Sequence, residues 1–309
     1  MHLILAYLSY FAGMWQQLKV DIVAGKVKAL ARGITLLEND APGVEDFFAG
    51  LTINDVPVIG ITGPPGAGKS TLTDALTAVL VARGKKVAIL CVDPSSPFNM
   101  GALLGDRIRM SSWYNHSGVY IRSLATRGSL GGVNARMIEI CSLVKAAGYD
   151  YIIIETVGVG QSEVDIAGIA DVTMVAMVPE AGDEVQTMKA GLMEIADIFV
   201  VNKADRPGAD MFVKNLRLML APAFNRTEKE LPVLKTVATT GEGIDALAEA
   251  IDTHLAGNYN NDHALWLLTE KAWQLISKKR MRNVEKADLY TALSRAQKPL
   301  NIYDFIKNY

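Results

Sequence analysis

The chain has 309 residues, 50% of them hydrophobic and 21% charged, with 33 acids against 31 bases. That composition excludes a disordered chain and predicts one large globular domain with appendages, or two small domains. A formal charge of -2 offers no general basic field to a polyanion, so no nucleic acid partner is expected and any phosphate binding must be local. Cys91 and Cys141, the only cysteines, form no CxxC or His-rich cluster, which fits a reducing, cytoplasmic setting.

Leu3 to Trp15 is strongly apolar, but it meets Gln16, Gln17 and Lys19 well short of the about 20 apolar residues that a spanning helix needs. No basic stretch precedes it as in a signal peptide, so no membrane role is expected. It reads as a helix packed on the body or on a second subunit. Val20 to Asn39 carries Ile22, Val23, Val27, Leu30, Ile34 and Leu37 at helical spacing before the breaker Ala41-Pro42-Gly43, which predicts one amphipathic helix and a turn.

From Val56 the pattern changes to short Val- and Ile-rich runs separated by helix-length segments: Val56 to Thr62, Val87 to Val92, Tyr151 to Ile154, Val172 to Val178 and Ile198 to Val201. These suit central parallel strands covered on both faces. Tyr120 to Leu124 and Pro232 to Val237 are weaker strand candidates. The first run leads into Gly63-Pro64-Pro65-Gly66-Ala67-Gly68-Lys69-Ser70 and then a helical pattern, which is GxxxxGKS in the strand-loop-helix setting of a P-loop. Gly63, Pro64, Pro65, Gly66, Ala67, Gly68, Lys69, Ser70 and Thr71 are the expected nucleotide contacts. Backbone N-H groups and the helix N-terminus face the anion, Lys69 reaches the outer phosphates, and the Ser70 hydroxyl can ligate magnesium. The fold class is therefore α/β, a P-loop NTPase with three α/β/α layers and a mostly parallel central sheet, flanked by N- and C-terminal helical extensions.

Asp93 and Glu155 end strand candidates on the P-loop side, where ligands bind in parallel sheets, and both belong near magnesium. The Gly- and Pro-rich stretch Pro94 to Gly105 reads as a switch loop, and Asp106 at its end is a third metal candidate. Glu155-Thr156-Val157-Gly158 stands where GTPases usually carry DxxG, and the Gly158 N-H would sense the γ-phosphate. The glutamine that directly follows that glycine in small signalling GTPases is missing here. Gln161 is the candidate to position water, so the expected catalytic set is Lys69, Asp93, Glu155 and Gln161, with slow turnover until a partner acts. The polar loop Glu180 to Lys189 is a further nucleotide-sensitive candidate.

Asn202-Lys203-Ala204-Asp205 follows a strand and matches NKxD, the guanine reader of P-loop proteins. The Asp205 carboxylate can accept from guanine's ring N-H and amino group, whereas adenine presents an acceptor there. The Ala238 backbone N-H is the expected donor to the guanine carbonyl. Asp252-Thr253-His254-Leu255-Ala256-Gly257 fits the cobalamin string DxHxxG, but the preceding Ile244 to Ile251 reads as helix rather than strand, so cobalt ligation by His254 is rejected. After Gly257, Asp262 to Ser277 and Asn283 to Gln297 read as helices anchored by Trp266, Leu267, Trp273, Leu275 and Ile276. The expected division is a helical extension over 1–50, a GTPase domain over 51–256 and a helical arm over 257–309.

With VDPSSP at Val92 to Pro97, GDRIRM at Gly105 to Met110, ETVGVGQSE at Glu155 to Glu163 and GLMEIAD at Gly191 to Asp197, the chain resembles the MeaB/ArgK family of P-loop GTPases over about Val20 to Leu255. The resemblance implies the SIMIBI arrangement of the G domain, usually a homodimer, for which the C-terminal arm is the expected contact. It also implies GTP/GDP with Mg2+ as cofactors. The implied role is that of a GTP-dependent chaperone of an adenosylcobalamin-dependent acyl-CoA mutase such as methylmalonyl-CoA mutase. Carried onto this sequence, Ser70, Asp93, Asp106 and Glu155 form the magnesium and switch constellation, Asn202, Lys203 and Asp205 hold guanine, and Asp183, Gln186 and Lys189 fall in an additional switch toward the mutase. The apolar opening and Val237, where many GTPases have serine, depart from the pattern. Two other readings compete: a P-loop small-molecule kinase, which has no use for NKAD, and a nucleotide-gated interaction protein without turnover.

Overall fold

The computed structural model of the protein describes residues 2–93, 110–125, 136–156, 166–180, 195–227, 231–257, 262–281, 284, 286–295 and 302–306. Within these ranges the side chains of 2–12, 93, 221–227, 262–264, 267, 278, 303 and 304 fall outside the description. The chain divides into two compact units, Met1–Asn261 and Asp262–Tyr309.

The first unit is built on a seven-stranded sheet: β1 (Val58–Thr62), β2 (Val87–Asp93), β3 (Val119–Ala125), β4 (Tyr151–Glu155), β5 (Val172–Met177), β6 (Ile198–Asn202) and β7 (Val233–Thr236). Their spatial order is β3-β2-β4-β1-β5-β6-β7, and every pairing is parallel. Continuous apolar runs become strands because both faces are covered. Val58, Ala88, Leu90, Ile152 and Ile154 pack on one face, against α1 (His2–Val23), α2 (Val27–Glu38), α3 (Val44–Ala49) and α5 (Met137–Ala146). Ile59, Ile61, Ile89, Ile153 and Met174 turn to the other face, where α4 (Lys69–Ala82) supplies Leu72, Leu76 and Leu80 and α7 (Ile244–Ala256) supplies Ile244, Leu247 and Ile251. A third cluster joins Val175, Phe199 and Val201 to Phe212, Leu216 and Leu220 of α6 (Ala209–Thr227). Each such side chain, fully buried, contributes about 1.5 to 3 kcal/mol.

An aspartate precedes each of three strands and closes the ladder at its amino end. Asp150, Asp171 and Asp197 donate their own N-H groups to the carbonyls of Lys86, Val58 and Thr173 at 2.8, 2.8 and 2.9 Å. Their carboxylates accept the N-H groups of the same three residues at 2.7 Å each. These caps set where each strand starts, and so where the opposite ends present their loops.

The N-terminal helices differ from expectation. The break falls at Ala24-Gly25 rather than between Trp15 and Val20: α1 runs unbroken from His2 to Val23, and α2 begins at Val27. Gly25 adopts φ 73 and closes the turn with its N-H on the Ile22 carbonyl at 2.9 Å. Hydrophobic periodicity continues on both sides of that glycine and so conceals it. Trp15, Leu18 and Ile22 are buried, and Trp15 donates to the Pro42 carbonyl at 2.6 Å and sets its ring 4.8 Å from that of Phe47 at a tilt of 41°. Arg122 of β3 ties α2 to the sheet through Glu38 at 2.8 Å and Thr35 at 3.1 Å.

The second unit contains α8 (Asp262–Arg280), α9 (Lys286–Arg295) and a turn of helix at Ile302–Phe305. The helices expected here are present, and of their apolar anchors Trp266, Trp273, Leu275 and Ile276 are exposed. Leu267 lies outside the described side chains. Among the described residues no helix is long and apolar enough to cross a membrane.

Candidate functional site

The loop between β1 and α4 lies at the carboxyl edge of the sheet, where parallel strands open their ligand crevice. Gly63 holds φ 134, and a Cβ there would collide with the Ala176 carbonyl of β5. Gly68 holds φ 83 at the N-cap of α4, and its Cβ would stand 2.5 Å from the Asn202 amide. Glycine is therefore required at both positions by space as well as by conformation. Lys69 is buried, with its ammonium donating to the carbonyls of Gly63 at 2.8 Å and Pro64 at 3.1 Å, which pins the charge over the loop.

Glu155, the last residue of β4, is only 4% exposed, and a carboxylate so buried requires partners. One oxygen accepts from the Ser70 hydroxyl at 2.6 Å and the other from the Thr73 hydroxyl at 3.1 Å. A serine hydroxyl beside one buried carboxylate is the oxygen donor set that magnesium takes when substrate phosphates and water complete its shell, so the residues fit that ion. Thr156 follows with its hydroxyl donating to that of Thr62 at 2.9 Å, which fastens β4 to β1 directly beneath the loop.

The NKAD loop meets the P-loop. Asn202 is buried, and its amide donates to the Ala67 carbonyl at 3.0 Å while its carbonyl oxygen accepts from Thr236 Oγ1 and from the Ala238 N-H, both at 3.2 Å. Lys203, held at φ 57, donates its ammonium to the Gly66 carbonyl at 2.8 Å. Asp205 is exposed at the loop's tip. The Ala238 N-H, expected to meet the guanine carbonyl, already has Asn202 as an acceptor, so a guanine would share that hydrogen. Val237 is buried and bridges to Glu242 through its N-H at 2.9 Å, closing the turn that presents Ala238.

The structure thus brings together Gly63 to Thr71, Glu155, Asn202, Lys203 and Ala238. Asp106, Gly158, Gln161, Asp183, Gln186 and Lys189 lie outside the described residues, as does the side chain of Asp93, whose backbone ends β2. Sequence reasoning missed Thr73 and Thr236. Thr73 carries a weak signal, being three residues past Ser70 on the same helix face. His254 lies within α7, 3.6 Å from Asp197, in keeping with the rejection of the cobalamin string. Burial raises the Asp197 carboxyl above its ordinary value, against the bond it accepts from the Thr173 N-H.

The model of the family "Methylmalonyl Co-A mutase-associated GTPase MeaB" matches residues 30–287. A protein of Pyrococcus horikoshii named as a GTPase is 49% identical over 235 residues, 74% of this chain and 74% of its own length. The fused isobutyryl-CoA mutase of Geobacillus kaustophilus is 40% identical over 231 residues, which are 70% of this chain and 21% of that protein. Among solved structures, one called the LAO/AO transport system kinase superposes with a TM-score of 0.65 at 27% identity, covering 93% of this chain and 94% of that one.

Proposed function

The chain belongs to the MeaB family of methylmalonyl-CoA mutase-associated GTPases, and we propose that it spends GTP on gating cofactor delivery to, and protecting or reactivating, an adenosylcobalamin-dependent acyl-CoA mutase. The observation that carries the nucleotide half of this reading is the junction of the two recognition loops, Asn202 on Ala67 and Lys203 on Gly66. Loops bonded to each other hold the phosphate end and the base end of one ligand in fixed relation. The mutase half is supported by the Geobacillus kaustophilus relative, whose matching segment is part of a fused isobutyryl-CoA mutase.

In this reading Lys69 and the loop N-H groups bind the phosphates, and Asp205 selects guanine. Ser70 and Glu155 hold Mg2+, with Asp93 and Asp106 in the same constellation. The ion, when bound, neutralises charge on the β- and γ-phosphates. The Gly158 N-H senses the γ-phosphate, Gln161 orients water, and Asp183, Gln186 and Lys189 carry the nucleotide state to the mutase. Turnover is slow until the partner engages. The exposed apolar side chains of α8, among them Leu265, Leu268 and Trp273, support a homodimer. Two buried cysteines, neither in a disulfide, support a cytoplasmic setting. A kinase would share Lys69 and Ser70 but leave the NKAD loop without a task.

The test is co-purification of tagged protein in GDP and in a GTP analogue. The reading expects an adenosylcobalamin-dependent acyl-CoA mutase in amounts that differ between the two states. Recovery of no such enzyme in either state overturns the chaperone role and leaves the GTPase standing.

A further inference from the structure

Ser70 and Thr73 sit three residues apart on α4, so their hydroxyls share one face of the helix. The Glu155 carboxylate lies across both, with Oε1 on Ser70 at 2.6 Å and Oε2 on Thr73 at 3.1 Å. The terminal torsion of a glutamate is broad, so a carboxylate held at one oxygen swings, whereas one held at both does not. Thr73 is fully buried, and its single hydroxyl proton is shared between Glu155 Oε2 and the Lys69 carbonyl, which lies 2.9 Å from Oγ1. We propose that Thr73 is a positioning residue of the magnesium site: by holding the far oxygen of Glu155 it keeps the near oxygen facing the Ser70 hydroxyl, and so sets the affinity for the divalent cation.

The length of the acid matters to this arrangement. An aspartate at 155 is one methylene shorter and loses the reach to keep both contacts unless the strand or the helix shifts. Thr77 supplies an internal comparison. It is equally buried and makes the same bond to the helix, to the Thr73 carbonyl at 2.7 Å, but among the described residues it makes no hydrogen bond to Glu155. A merely structural role for the Thr73 hydroxyl would be matched by Thr77, whereas a role acting through the carboxylate would not.

The inference rests on the proposed Mg2+ site, and the experiment separates the two. Full-length protein with GDP is titrated with Mg2+ by calorimetry and with Mn2+ by electron paramagnetic resonance, and GDP binding is measured again in EDTA. Thr73→Val is expected to weaken metal binding about tenfold, as loss of an outer partner of a metal ligand does. GDP affinity in EDTA should stay within about twofold of wild type, Thr77→Val should bind metal as wild type does, and Thr73→Ser should recover to within about threefold. Glu155→Asp should lose a similar factor, with little added by Thr73→Val on that background. Wild-type protein that binds GDP equally with and without Mg2+ sinks the metal reading itself. Metal-dependent wild type with an unaffected Thr73→Val, or with Thr77→Val equally impaired, sinks only the role of Thr73. Should Thr73→Val fail to fold, Thr73→Ala is read by the same criteria, and a Glu155→Asp protein with unchanged metal affinity overturns the proposal independently.

Discussion

Asn202 donates its side-chain amide to the carbonyl of Ala67 at 3.0 Å, joining the loop that reads the base to the loop that wraps the phosphates across 135 positions of chain. The same side chain accepts from Ala238 and Thr236, so one buried residue fixes three segments of the pocket. Asn202→Ala would leave the Ala238 N-H and the Ala67 carbonyl short of a partner, at about 1 to 3 kcal/mol for each group that stays buried. GDP affinity is expected to fall about 10- to 100-fold, with a lowered melting temperature. Unchanged binding by the variant would show that the two loops are placed by something else.

Asp205 sits at the exposed tip of that loop and touches neither P-loop nor sheet through any described bond. Its substitution should therefore alter selection and spare the fold. Asn at 205 presents an N-H donor where guanine carries its amino group and xanthine carries an oxygen. Asp205→Asn is expected to lose about 100-fold or more in GTP affinity and to gain for XTP, with an unaltered melting temperature. A variant that still prefers GTP contradicts the assignment of this carboxylate.

At the opposite edge of the sheet, Asp171 accepts the Val58 N-H at 2.7 Å. Asp171→Ala leaves the first N-H of β1 to water and should cost about 1 kcal/mol, whereas Asp171→Asn keeps an acceptor oxygen and should cost less. Urea midpoints of the three proteins decide it, and equal losses for Ala and Asn would assign the effect to charge rather than to the cap.

Stability should also fall in alkali. Burial pushes the Cys141 thiol from 9.0 up to about 12 and the Tyr149 phenol from 10.0 up to about 12. Burial, followed by the hydrogen bond to Asp252, does the same for Tyr151. The folded protein keeps these protons while the unfolded chain releases them, so the unfolded state binds fewer protons from about pH 9 to 12 and stability declines across that window. Below pH 9 the contribution of Cys141 is fully present. Between pH 8 and 10, wild type should lose about 1 kcal/mol more than Cys141→Ala. Parallel profiles for the two proteins would mean that the thiol is not held neutral by its surroundings.

Several features of this fold and site are local and could be read before any coordinates. Val58 to Thr62 is an apolar strand that ends on a glycine-rich loop, and Asn202 to Asp205 is a short string at the end of another strand; neither depends on distant chain. What escaped depends on what comes to lie opposite. Thr73 looks like any threonine on a helix until Glu155, 82 residues away, is placed against it. Asp150, Asp171 and Asp197 are visibly alike, each just ahead of an apolar run, yet their purpose follows only from the register with the neighbouring strand. Periodicity locates α8 but leaves open what meets the exposed Trp273, because a helical pattern says which side chains share a face and not what packs on it. At Gly25 the two helices keep the same apolar phase, which left the break without a signature.

The central claim is that one pocket grips phosphates through Lys69 and guanine through Asp205. Calorimetric titration of the full-length protein with GTP and with ATP, both in Mg2+, tests it most directly. The account predicts GTP binding at least about 100-fold tighter than ATP, with one nucleotide per chain. Equal affinities for the two nucleotides would contradict it.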